Sequence, residues 1–123
     1  MSPEKKVGWA ESCLKRVVGL LPVQTTVRMT YRHDRKNTAT CLAEPEYFRA
    51  IVNVSLEDLK TKKDIAQHIF HEVIHIPVWP LFDVGLDLCH DKFERKQVRD
   101  TNEFVTSSLE LMFFQLVFPE FEE

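Results

Sequence analysis

His71-Glu72-Val73-Ile74-His75 is the stretch that most restricts what this chain can become. Two histidines four apart, with a glutamate after the first, work together on an α-helix, where positions i and i+4 share one face a turn apart. There both imidazoles can offer a nitrogen to one metal ion. Glu72, beside His71, can take a proton from a water on that ion. The flanking residues fit a helix that presents such a face. Thr61 stands three residues before Asp64, a capping pattern. On a helical wheel Ala66, Ile69, Phe70, Val73 and Ile74 fill one side, and Asp64, His68, His71, Glu72 and His75 fill the other. Pro77 has no backbone donor and disfavours helical geometry at Ile76, so the helix is predicted to end within about a residue of His75.

The segments on either side predict an α+β fold. Ser2-Pro3-Glu4 carries a capping hydroxyl, a proline at the first helical position and an acid in the first turn. Val7, Ala10, Leu14, Val17, Val18 and Leu21 then recur at helical spacing until Pro22. From 23 to 32 the period changes to two, with Val23, Thr25, Val27, Met29 and Tyr31 on one face. A polar turn over 34–37 leads to a second strand over 38–43, giving a hairpin. A third strand over 47–55 places Phe48, Ala50, Val52 and Val54 together. Residues 77–97 read as a loop with a short helix at most. A last helix starts at Asp100 or Thr101 and runs to about Phe118. It is apolar in nearly every direction, which predicts burial.

At 123 residues the chain fits one domain, 1–123, able to bury roughly two thirds of its unfolded surface. A net charge of −3 gives no reason to expect nucleic acid as a partner. No apolar run approaches the ~18 residues a membrane span needs, so no membrane partner is expected either. Three cysteines (Cys13, Cys41, Cys89) without a C-x-x-C, and the lack of a signal peptide, predict a cytoplasmic setting. Oligomeric state is open on these grounds.

A catalytic zinc takes three protein ligands and keeps one position open. The missing ligand is expected C-terminal to the histidines, on an element packed beside their helix. Glu103 and Glu110 are seven apart on the last helix and share a face. A buried carboxylate without a partner is costly, and a metal or a histidine would remove that cost. Glu103 is the expected ligand. Glu110 is the alternative, or else an acceptor behind a ligating histidine. Cys89 and His90 are weaker candidates for a fourth ligand.

With these residues the chain resembles the gluzincin group of zinc metallopeptidases, which pair His-Glu-x-x-His with a downstream Glu on a second helix. Asn102-Glu103-Phe104-Val105-Thr106-Ser107 looks like that group's Asn-Glu-x-x-Ser-Asp pattern, with Ser107 in place of Asp. The order of elements is similar to the minimal gluzincins and to small His-Glu-x-x-His proteins often encoded by phages. The resemblance implies a zincin-like minimal domain with a three-stranded, mainly antiparallel sheet, an active-site helix and a glutamate helix. It implies one zinc per chain held by His71, His75 and Glu103, Glu72 as general base, and a peptide or protein substrate. It also implies that the strand over 47–55 forms the upper rim of the cleft, and that Tyr47, His68 or His90 steadies an oxyanion. Two alternatives stand beside the peptidase. One is a non-catalytic interaction domain braced by zinc. The other is a latent form, as in some minimal gluzincins, with a carboxylate of residues 119–123 on the metal.

Overall fold

The computed structural model of the protein describes residues 1–33 and 37–121. Its main elements are α1 (Pro3–Val18), β1 (Thr26–Thr30), β2 (Ala39–Glu44), β3 (Arg49–Val54), α2 (Lys62–Asp87) and α3 (Lys92–Val117). Single 3-10 turns occupy Pro45–Tyr47, Leu56–Asp58 and Pro119–Phe121. The α+β class expected from the sequence is the one adopted. α1 begins as its residues dictate: the Ser2 hydroxyl accepts from the Lys5 amide at 3.3 Å, and Pro3 sits where a missing N–H is harmless. Its buried stripe is Ala10, Cys13, Leu14 and Val17.

The sheet departs from the expected hairpin of the first two strands. β3 is the middle strand, parallel to β1 (Thr26 opposite Arg49) and antiparallel to β2 (Ala39 opposite Val54). The sheet is therefore mixed, and the hairpin joins β2 to β3. Alternation dictates which face a residue takes, but it does not say which strands are neighbours. Ala50, Val52 and Val54 make β3 the apolar centre, each 3% exposed or less. The Asn53 side chain then completes the end of β1. Its Oδ1 accepts from the Thr30 hydroxyl at 2.9 Å and the Arg32 amide at 2.8 Å, and its Nδ2 donates to the Arg32 carbonyl at 3.2 Å. Phe48, at the β2–β3 turn, has φ 52°, a left-handed conformation that non-glycine residues seldom take, and this turns its ring out of the buried face. The turn expected over 34–37 lies mostly outside the described residues.

The two long helices also exceed expectation. α2 starts at the Thr61 cap, whose hydroxyl accepts from the Asp64 amide at 3.1 Å, but it continues through Pro77 and Pro80 to Asp87. Each proline removes one amide donor from the helix, at Val73 O and at Ile76 O. Standing three apart, both rings face one side, where they line an apolar cavity with Pro22, Pro45 and Phe48. Beyond them α2 packs on α3, so closely that a Cβ on Gly85 would lie 3.1 Å from Val98 Cγ1. Tertiary packing thus outweighs the local preference. Residues 77–97 are helical apart from a short connection, and α3 begins at Lys92. Its cap is Asp91, whose Oδ1 accepts from the Glu94 amide at 2.8 Å. The expectation that α3 is buried fails: only Thr106 and Phe114 along it are.

α2 is the element that touches α1, the sheet and α3. Ile65, Ala66, Ile69, Phe70 and Val73 meet β3 and α1 in one core. Phe118 closes the far end of that core. It is fully buried, stacks 5.2 Å from Phe114, and lies under the Arg16 guanidinium at 4.6 Å. Phe118→Ala is expected to cost about 3–5 kcal/mol, measured by denaturant unfolding, because a filled site becomes a cavity.

Candidate metal centre

α2 carries His71, Glu72 and His75 on the side away from its apolar core, and Glu72 and His75 are each only 5% exposed. One potential ligand atom from each lies within 4.8 Å of the others, a group that could hold a metal ion. α3, returning beside α2, adds two carboxylates. Glu103 Oε2 is 3.2 Å from His71 Nε2, and Glu103 Oε1 is 3.2 Å from His75 Nε2. Glu72 Oε1 is farther, 3.8 Å from His75 Nε2. Of the two α3 acids, Glu103 is the one whose oxygens approach Nε2 of both imidazoles.

The outer ring nitrogens are held from α3. Each nitrogen of His71 faces a carboxylate, Nε2 that of Glu103 and Nδ1 that of Glu110, whose Oε1 accepts from it at 2.9 Å. This bond raises the His71 pKa against the opposing effect of burial. His75 Nδ1 faces the Thr106 hydroxyl at 3.3 Å and the Asn102 amide at 3.4 Å. Thr106 donates its own proton to the Asn102 carbonyl at 2.8 Å, which leaves its lone pairs for a proton on His75 Nδ1. Asn102 Oδ1 is buried without a partner. A half-turn of that amide, which swaps near-identical atoms, lets Oδ1 accept from His75 Nδ1 but leaves Nδ2 in the unpartnered position. Nε2 of both imidazoles points towards Glu103. Burial, more than any neighbouring charge, lowers the His75 pKa.

Glu72 is in a different environment. Burial pushes its carboxyl up to about 7, partly opposed by His71. Cys41 of β2 is near enough for the Glu72 charge to add to the burial that pushes its thiol up to about 12. A metal dication beside Glu72 would favour the carboxylate. The cleft in front of these groups holds about 520 Å³ and is bounded by Asn37, Thr38 and Ala39 on one side and by Gln67 and His68 on the other.

The rim beside the site is thus the start of β2, which is an edge strand, and not residues 47–55. β3 is paired on both sides and has no free edge to offer. Tyr47 lies beyond the opposite end of the β2–β3 ladder, roughly 17 Å away at ~3.3 Å per residue, with Arg49 over its ring at 4.8 Å. His90 is exposed in the connection after α2, roughly 20 Å along that helix from His75. Cys89 bonds the Gly85 carbonyl at 3.2 Å and shares that remote position. Of the candidates around the core trio, the structure brings His68, Glu103 and Glu110 to the cleft and leaves Tyr47, Cys89 and His90 elsewhere. His68 Nδ1 donates to the Asp64 carbonyl at 2.8 Å, which fixes the ring at the rim. Glu120 is held by Arg16 at 2.8 and 2.9 Å, against α1, while Glu122 and Glu123 lie outside the described residues.

Asn102 and Thr106 were not anticipated from the sequence. A signal was there: with Glu103 and Glu110 they form a polar stripe at 102, 103, 106 and 110 along one side of the helix. No protein-family model matches the chain, and searches of curated proteins and of solved structures found no match. Among the described residues, no helix is long and apolar enough to cross a membrane.

Proposed function

We propose that the protein is a zinc-dependent peptidase of the gluzincin type, with His71, His75 and Glu103 as ligands and Glu72 as general base. One observation carries the reading: a single carboxylate, Glu103, stands 3.2 Å from Nε2 of both histidines. A direct charge-assisted hydrogen bond prefers about 2.7–2.9 Å. Zinc bonds of about 2.0–2.1 Å place neighbouring ligand atoms about 3.3 Å apart around a tetrahedron. The donor set, two imidazoles and a carboxylate, suits zinc. When bound, zinc supplies a Lewis acid that polarises a carbonyl and acidifies a water.

The other work falls to the chain. Glu110 and the Asn102–Thr106 pair fix both rings, the role of carboxylate and amide partners behind metal-ligating histidines. Glu110 does from one turn further along what an acid at 107 would do. Glu72 is a carboxylate at the edge of the cleft, beside both imidazoles, where it can accept and return a proton. The free edge of β2 gives an extended peptide a backbone to pair with beside the site. His68 is the remaining candidate for contact with the carbonyl oxygen. Peptide cleavage by the purified protein, read by mass spectrometry on a broad peptide library, is expected to stop on chelation and to return with one equivalent of zinc.

A second reading, zinc as a brace without catalysis, is favoured by the sparse burial of α3. His71 and His75 join the two helices beside the Gly85–Val98 and Phe70–Phe114 contacts. Unfolding on chelation, with no peptide in the library cut by the zinc-loaded protein, would select it.

A further inference from the structure

Residues 81–104, the end of α2 and the start of α3, form a two-helix hairpin in which no residue is buried. Helices of this length draw most of their stability from a covered apolar face, and in this hairpin the two helices cover each other only partly, around Gly85 and Val98. Its apolar residues are nonetheless ordered. Leu81, Val84 and Leu88 follow one another at helical spacing along α2. Phe93, Phe104 and Leu111, eleven and seven apart, fall on one line of α3. The most exposed are Leu111 at 81%, Leu81 at 76% and Phe104 at 73%. Between the two lines runs a groove of about 490 Å³ with Gly85 and Val98 in its floor, Leu81 and Leu88 on its α2 side and Glu94, Gln97 and Thr101 on its α3 side. At about 200 Å² for a large apolar residue, the six expose on the order of 800 Å², the area each partner contributes to a standard interface.

Charge indicates what covers it. From 77 to 91 the chain has Asp83, Asp87 and Asp91 and no lysine or arginine, whereas the start of α3 carries Lys92, Arg95, Lys96 and Arg99 against Glu94 and Asp100, with Lys96 2.6 Å from Asp100 on its own helix. Gly85 faces Val98, so Asp87 is level with Lys96 on the opposite helix of the hairpin, each on an outer flank. We propose that two copies of this chain pack hairpin to hairpin about a two-fold axis parallel to the helices. α2 of each copy then lies on α3 of the other, closing a four-helix bundle. That arrangement sets the Leu81–Leu88 line against the Phe93–Phe104 line and Asp87 beside Lys96 of the second copy, so apolar and charged surfaces match at once. The metal site plays no part in this inference.

Sedimentation equilibrium of the full chain tests it, with circular dichroism to follow folding. A dimer is expected, and Leu88→Glu and Phe93→Glu are each expected to raise its dissociation constant ~30-fold or more with helicity unchanged, since both side chains are exposed. Lys96→Glu should weaken the dimer, and Asp87→Lys added to it should restore affinity, a readout that leaves every apolar residue in place. A mass of one chain at every concentration, or a dimer untouched by both glutamates, overturns the proposal. A dimer that the glutamates break but the reversed pair does not rebuild overturns the α2-on-α3 arrangement.

Discussion

Glu72→Gln is expected to leave about one zinc bound per chain and to lower peptide hydrolysis roughly 10²–10⁴-fold, the usual worth of a positioned general base. The side chain is 5% exposed and lies against β2, so an amide of the same shape keeps the packing and the cleft intact. What changes is chemical: the amide cannot accept the proton. The two ligating nitrogens and the Glu103 carboxylate are untouched, so metal content should hold. Metal analysis of the purified variant beside a cleavage assay separates the two effects. Cleavage at the wild-type rate with zinc in place would remove Glu72 from the mechanism. Loss of both zinc and activity would mean that Glu72 is itself a ligand, a role its 3.8 Å approach to His75 makes less favourable than Glu103's 3.2 Å.

What could be read without coordinates follows the range of the interactions. The His71, Glu72 and His75 grouping depends on spacing within one turn of helix, and the structure reproduces it. So do the caps at Ser2 and Thr61, where a hydroxyl meets an amide three residues on. Glu103 and Glu110 were identifiable because an acid on an apolar helix needs a partner. Strand order was not, since the alternation that makes β1 and β3 amphipathic is the same whichever strands pair. The stop at Pro77 was misjudged because the contact that carries α2 past it, Gly85 against Val98, joins residues 13 apart on different helices. The start of α3 was missed although Asp91 and Glu94 hold the spacing of a cap. The apolar circumference of α3 was read as burial, when its outer line faces away from the rest of the chain.

Glu103→Ala and Glu110→Ala should part cleanly in a zinc titration with a competing chelator. The acid at 103 meets both Nε2 atoms, so its loss removes a ligand and leaves two imidazoles, too few for a stable site. Zinc affinity is expected to fall by well over 100-fold, with hydrolysis lost. Glu110 touches only the far nitrogen of His71, at 2.9 Å. Removing it frees the ring to turn and weakens its basicity, the kind of change that costs about 10–100-fold in metal affinity or activity. Saturating zinc should therefore rescue much of the Glu110→Ala activity and little of the Glu103→Ala activity. The same comparison bears on the bracing alternative. If both variants stay folded without zinc, the helices do not need the metal to hold together, and a purely structural ion loses its purpose. If Glu110→Ala is the variant that cannot retain zinc, the assignment of the two acids is reversed.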